Sequence, residues 1–139
     1  MMTPYEIALE ELGVAEIPGP ETNARIAEYH ATTGTEPNDE TPWCSSFRNW
    51  CEVEAGGIGT GKPNARSWLD WGEPVDTPIE GDTVVLWRGS PTGWQGHVGF
   101  FVRYSDDGSA VRVLGGNQGD RVSMAWYPRE RVLGFRGVM

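Results

Sequence analysis

The hydrophobic period of this chain changes once, near its middle, and that change constrains the fold more than any other feature. Up to Trp71 the apolar residues recur at helical spacing, and from Asp82 onward they alternate. Thr3-Pro4-Tyr5-Glu6 is a capping box with proline at the first helical position, followed by Ile7, Ala8, Leu9 and Leu12 and stopped by Gly13. Glu21 to Thr33 forms a second helix, with Ile26, Ala27 and Tyr29 on its buried side and Gly34 as terminator. The third helix runs from Pro42 to Ala55, carries Trp43, Phe47, Trp50 and Cys51 at helical spacing, and closes in the glycine-rich stretch Gly56 to Gly61. Asn64 to Trp71 is one more short helix. Strands follow at Asp82–Trp87, His97–Tyr104, Ala110–Leu114, Arg121–Tyr127 and Val132–Arg136, with Asp106-Asp107-Gly108 as a hairpin turn. Helices first and strands after define an α+β domain, its N-terminal helices packed on one side of a mainly antiparallel C-terminal sheet.

At 139 residues the whole chain, 1–139, is expected to be one domain. A chain of this size buries roughly 70% of its unfolded surface, enough for one core without disulfide or metal staples. The formal charge of −9 argues against nucleic acid, whose binding runs on Lys and Arg. It also supplies no attraction to an anionic membrane or wall polymer. No apolar run approaches a membrane span, so no insertion into a bilayer is expected. Met1 to Glu6 lacks the basic and apolar regions of a secretory signal. The expectation is a soluble cytoplasmic protein, a monomer, which needs help to reach any target outside the cell.

Chemistry centres on Cys44. With Thr41 as N-cap, Cys44 falls at the third position of its helix, where backbone N–H groups are free and the helix dipole favours thiolate over thiol. The N–H groups of Cys44 and Ser45 are then natural donors to an oxyanion. A nucleophilic cysteine also needs a base and a group that orients the base. The candidates for base are His30 and His97. His97 is preferred because it begins a strand where its ring can face the helix end. Alternation places His97, Gly99 and Phe101 on one side of that strand, and Gly99 leaves room there for a neighbouring element. The hairpin returns the following strand antiparallel, so Gly115-Gly116-Asn117-Gln118 ends close to His97. Asn117 is therefore the expected orienting residue, with Gln118 and Asp120 as alternatives.

Several fragments carry a family resemblance: Asp39 to Phe47, Gly81-Asp82-Thr83-Val84-Val85, Gly96-His97-Val98-Gly99-Phe100 and Leu114 to Gln118. In combination they resemble the small CHAP and NlpC-type papain-like peptidoglycan hydrolases, particularly a phage-associated single-domain group. The resemblance implies a papain-like fold, Cys44 as nucleophile, His97 as base, a polar residue at Asn117 as orienter, and a cell-wall amide bond as substrate. It implies an endolysin delivered by a holin or a secretion device and acting on the wall or periplasm. The readings that stay open are stem-peptide endopeptidase, N-acetylmuramoyl-L-alanine amidase, delivered antibacterial toxin and non-catalytic wall-binding or virion module.

The remaining candidates are weighed against plainer roles. Trp43, Trp94 and Trp126 lie beside the catalytic segments and either wall a substrate groove or pack; Trp50, Trp68, Trp71 and Trp87 read as core. Asp39 and Glu40 either meet substrate or simply precede the helix, and Gln118 is also a candidate substrate contact. Cys51 reads as a small buried hydrophobe. It lies two turns from Cys44, about 10 Å along the helix, where a disulfide does not reach. No metal is expected, because Cys44 and Cys51 do not have zinc-ligand spacing, and no cofactor is implied.

Overall fold

A computed structural model describes residues 2–18, 21–36 and 42–138 of the chain. Helices α1 (Pro4–Glu10), α2 (Ala24–Ala31) and α3 (Cys44–Glu54) precede a 3₁₀ helix (Ala65–Asp70) and six strands. The strands are β1 (Glu73–Val75), β2 (Thr83–Trp87), β3 (Gly96–Tyr104), β4 (Ala110–Gly115), β5 (Ser123–Pro128) and β6 (Val132–Gly137). They form one antiparallel sheet in the order β1-β6-β2-β3-β4-β5. The expected α+β class is what the chain adopts.

Local chemistry sets the element ends. The Thr3 hydroxyl accepts the Glu6 N–H at 3.1 Å while the Glu6 carboxylate accepts the Thr3 N–H at 2.9 Å, the reciprocal box expected from the sequence. The second helix is shorter than the span from Glu21 to Thr33: Asn23 caps it by accepting the Arg25 N–H, so the residues before it lie outside the helix. The short helix expected over 64–71 is a 3₁₀ helix, Ala65–Asp70. Strand β1 escapes the sequence reading because three residues, one of them Pro74, show no period; proline is tolerated there because β1 is an edge strand. Asp82 is a turn residue ahead of β2, its carboxylate accepting the Ile79 N–H at 2.8 Å.

Two cores flank the sheet. On the helix side, Phe47, Trp50 and Cys51 of α3 pack with Tyr29, Phe100 and Leu114, while Cys44 joins Trp68, Val85 and Val98. On the other side, Phe101 packs with Val84, Leu86, Val111 and Val113. Truncating a ring such as Phe47 to alanine in cores of this kind costs about 3–5 kcal/mol. Trp71 and Trp87, read from sequence as core, are only half-buried.

Helix α3 is buried from Cys44 to Glu52, polar residues included. Each polar side chain ties the helix to a different neighbour. The Arg48 guanidinium donates to Glu52 and Thr83 and sits between the rings of Trp68, Trp71 and Phe100. Asn49 Oδ1 accepts the N–H groups of Thr60 and Gly61, pinning the glycine-rich loop. Ser46 Oγ lies 3.0 Å from His30 Nδ1, which makes buried His30 a link between α2 and α3. Pairing of this kind fixes a unique packing, and Arg48 Nη1, which has no hydrogen-bond partner among the described residues, is left among aromatic rings.

Candidate active site

Three segments converge on Cys44: the start of α3, the start of β3 and the turn after β4. The helix starts at Cys44 itself, preceded by Trp43, which gives no side-chain cap. Cys44 is thus the first helical residue rather than the third, and the expected cap, Thr41, lies outside the described residues. The first closed helical bond runs from the Phe47 N–H to the Trp43 carbonyl at 2.9 Å. The N–H groups of Cys44, Ser45 and Ser46 fall outside the helical ladder, which concentrates the dipole's positive end beside the sulfur.

His97 lies opposite, on β3. Its parity is that of Gly99 and Phe101, so it belongs to the face away from the helices, whereas Val98 and Phe100 face them. The two reactive groups meet because the sheet is split there. Pairing between β3 and β4 begins only at Phe100 with Leu114, leaving the first residues of β3 open on that side. At this open edge the Val98 N–H reaches the Cys44 sulfur. Gly99 allows β4 to come close, since a Cβ there would fall 2.8 Å from the Leu114 carbonyl oxygen.

The side chain that meets the His97 ring is Gln118, one of the alternatives, and not Asn117. Gln118 is buried, and its Oε1 lies 2.7 Å from His97 Nε2. Its amide group donates to the carbonyls of Val113 at 3.1 Å and Ser123 at 2.7 Å. Both carbonyls demand donors, so the amide nitrogen faces them and Oε1 faces the ring. His97 Nε2 must then carry a proton, which leaves Nδ1 as the nitrogen turned to Cys44. Nδ1 is buried and has no hydrogen-bond partner among the described residues. Asn117 instead has φ 59 and shapes the turn; Asp120 is exposed, and its backbone carbonyl accepts the Glu16 N–H. The two glycines ahead of them make the arrangement possible. A Cβ on Gly115 would fall 2.8 Å from Gln118 Oε1, and one on Gly116 would strike Phe47 and the Trp43 ring at 2.8 Å.

The electrostatics follow. Burial opposes ionisation of Cys44, but the charge of the His97 ring, the Val98 N–H and the charge of Arg88 outweigh it and hold the thiol below its usual range. At Cys51 burial outweighs the one guanidinium that the thiol feels, that of Arg48, the carboxylates of Glu11 and Glu52 add to burial, and the thiol is pushed well up. Tyr127 packs its ring 5.2 Å from that of His97, and burial pushes its phenol up to about 12. It is a site neighbour that alternation along β5 did not reveal.

A cavity of about 360 Å³ opens over Cys44 between Pro42, Asn64, Arg88, Trp94 and Gln95. Trp94, 77% exposed, stands on its wall as expected of a groove residue. Trp43 does not: it is fully buried, stacks on Tyr29 and donates its indole N–H to Glu16. Trp126 lies on β5 under Arg103 and Arg112, away from this cavity, and Gln118 is committed to His97. Asp39 and Glu40 lie outside the described residues. Arg88 and Asn64 were missed, since neither belongs to a motif. A larger cavity of about 540 Å³ lies near the other end of α3, between Tyr5, Arg48, Glu52, Ile79 and Arg136. It contains neither cysteine nor histidine, so chemistry rather than size identifies the candidate site.

Among known families, the CHAP domain model matches residues 36–117, a span that takes in Cys44 and His97 and stops one residue before Gln118. No curated protein matches the chain.

Proposed function

This chain belongs to the CHAP domain family of peptidoglycan hydrolases, and on that premise we propose that it cleaves an amide bond in the stem peptides of peptidoglycan by covalent cysteine catalysis. The observation that carries the reading is a buried thiol whose ionisation is favoured, against its burial, by an imidazole held in one tautomer. In this mechanism Nδ1 of His97 takes the Cys44 proton, and the Gln118 oxygen accepts the Nε2–H of the resulting imidazolium. The thiolate attacks the amide carbonyl carbon. The N–H groups of Cys44 and Ser45 receive the developing oxyanion. The C–N bond breaks, the leaving amine takes the proton from His97, and an acyl-thioester remains on Cys44. His97 then draws a proton from water, whose oxygen displaces the sulfur and releases the acid.

Gln118 is neutral, so it orients the ring and fixes its tautomer without the full charge that a carboxylate orienter adds. The stem-peptide endopeptidase reading is preferred, and its setting is an endolysin delivered to the wall by a holin. Purified peptidoglycan should lose turbidity with the wild-type protein and not with Cys44→Ala. Equal clearing by both would remove Cys44 from the mechanism. Mass spectrometry of the released fragments identifies the new amine: one within the stem peptide or its cross-bridge, with L-alanine still on muramic acid, supports the endopeptidase, and a free L-alanine N-terminus with a free muramoyl lactyl group would assign an amidase instead.

A further inference from the structure

We propose that Arg88 is the specificity residue of this site, its guanidinium taking a carboxylate that the substrate carries beside the scissile amide. The inference rests on the hydrolase reading above and names the chemistry of its substrate. Arg88 directly follows β2 and shares the wall of the Cys44 cavity with Trp94 and Gln95. Its side chain makes no hydrogen bond, ion pair or ring contact among the described residues. Every other arginine of the described residues has a carboxylate, a carbonyl or a ring as partner. Arg25, Arg48 and Arg103 meet acids, Arg66, Arg121, Arg129 and Arg136 donate to carbonyls, and Arg112 and Arg131 lie over tryptophans. Arg88 has none of these, in a chain of formal charge −9 with acids to spare.

The base of the side chain is nonetheless held. The Arg88 N–H donates to the Gln95 carbonyl at 3.2 Å. Arg66 clamps the same loop by donating to the carbonyls of Ser90, Pro91 and Gln95. A fixed backbone thus presents a free guanidinium into the cavity, near enough for its charge to act on the Cys44 sulfur. A guanidinium in that position fits a planar carboxylate bidentately, with charge-assisted bonds that an amide or hydroxyl does not match. It also supplies the local attraction to a peptide acid that the acidic surface as a whole denies.

A stem peptide offers that chemistry from two sources, the α-carboxylate of a γ-linked glutamate and the carboxylate of the terminal residue. The test uses synthetic stem tetrapeptides with each carboxylate amidated in turn. Wild-type protein should cleave the peptide that retains the recognised acid with a kcat/KM about tenfold higher than its amide, the difference lying mainly in KM. Arg88→Gln should collapse that ratio towards one, and Arg88→Lys should restore part of it. Any effect of Arg88 on the thiol is common to both peptides and cancels in the ratio. Whichever amidation removes the preference identifies the source. Equal cleavage of all the peptides by the wild type, or an Arg88→Gln loss that is the same for each, would overturn the proposal. Calorimetric binding of the same peptides to Cys44→Ala and to Cys44→Ala with Arg88→Gln reads recognition without chemistry. Failure of hydrolysis with a retained acid preference in binding would reject the hydrolase reading alone, and absence of that preference would reject the role of Arg88.

Discussion

Cys44 and Cys51 lie on one helix, two turns apart, both buried and both unpaired to any disulfide. Their thiols are nevertheless displaced in opposite directions, Cys44 down and Cys51 up. Burial acts the same way on both, so burial is not what distinguishes them. Cys44 sits where the helix ladder begins, where β3 and β4 part and where an imidazole, a backbone N–H and a guanidinium all face it. Cys51 sits mid-helix in the aromatic core beside Tyr29 and Trp50, where the polar groups are already committed to one another. A reactive cysteine is therefore a property of what converges on it and not of the helix that carries it.

The comparison is easiest to break at its reactive end. Cys44→Ala should lower hydrolysis of peptidoglycan by about 10⁴-fold or more in an assay of released amines, since the residual catalysis has no nucleophile. Alkylation sharpens the same contrast. In the folded protein the Cys44 rate should have a pH midpoint below the free-cysteine value of about 8.5, while Cys51 reacts only on unfolding. The sign is set by the lowered thiol: hydrolysis is retained as pH falls to that midpoint and lost as pH falls through it. His97→Ala should move the alkylation midpoint upward, because burial persists after the compensating charge has gone.

Between the cysteines, Glu52→Ala leaves the Arg48 guanidinium buried without its carboxylate. It should cost about 3–5 kcal/mol in denaturant unfolding. The turn after β4 separates neighbouring residues by role. Gln118→Ala should lower kcat by about ten- to a hundredfold and broaden the pH profile by freeing the ring of His97. Asn117→Gly should change kcat less than about twofold, because glycine adopts a φ of 59 without strain. The smallest effect is expected at Cys51→Ala, about 1 kcal/mol of stability and unchanged kinetics.

Much of this molecule was legible along the chain. The capping box at Thr3, the hairpin at Asp106-Asp107-Gly108 and the alternation of β2 to β6 are local signals, and each produced its element. The hairpin also leads to the segment that meets His97, with Asn117 preferred and Gln118 and Asp120 as alternatives. Which of two adjacent polar residues turns inward depends on the left-handed φ at Asn117 and on two carbonyls, Val113 and Ser123, that need donors. Neither condition is written in the side-chain types. The tryptophans failed for a similar reason: Trp43 and Trp94 both flank site segments, yet the first fills the space over Gly116 and the second stands in solvent.

By itself the order of residues determined a helix-then-strand α+β chain, a thiol at a helix start, a histidine at a strand start and a polar turn returning to it. These follow from periodicity and chain connectivity, which are properties of neighbours along the backbone. Only the tertiary structure decided that β3 and β4 part where Cys44 arrives, that Gln118 holds the ring, and that Arg88 is left without a partner among the described residues. Those outcomes depend on which distant groups fill one another's space and hydrogen-bonding capacity, and that is settled when the sheet and α3 close on each other.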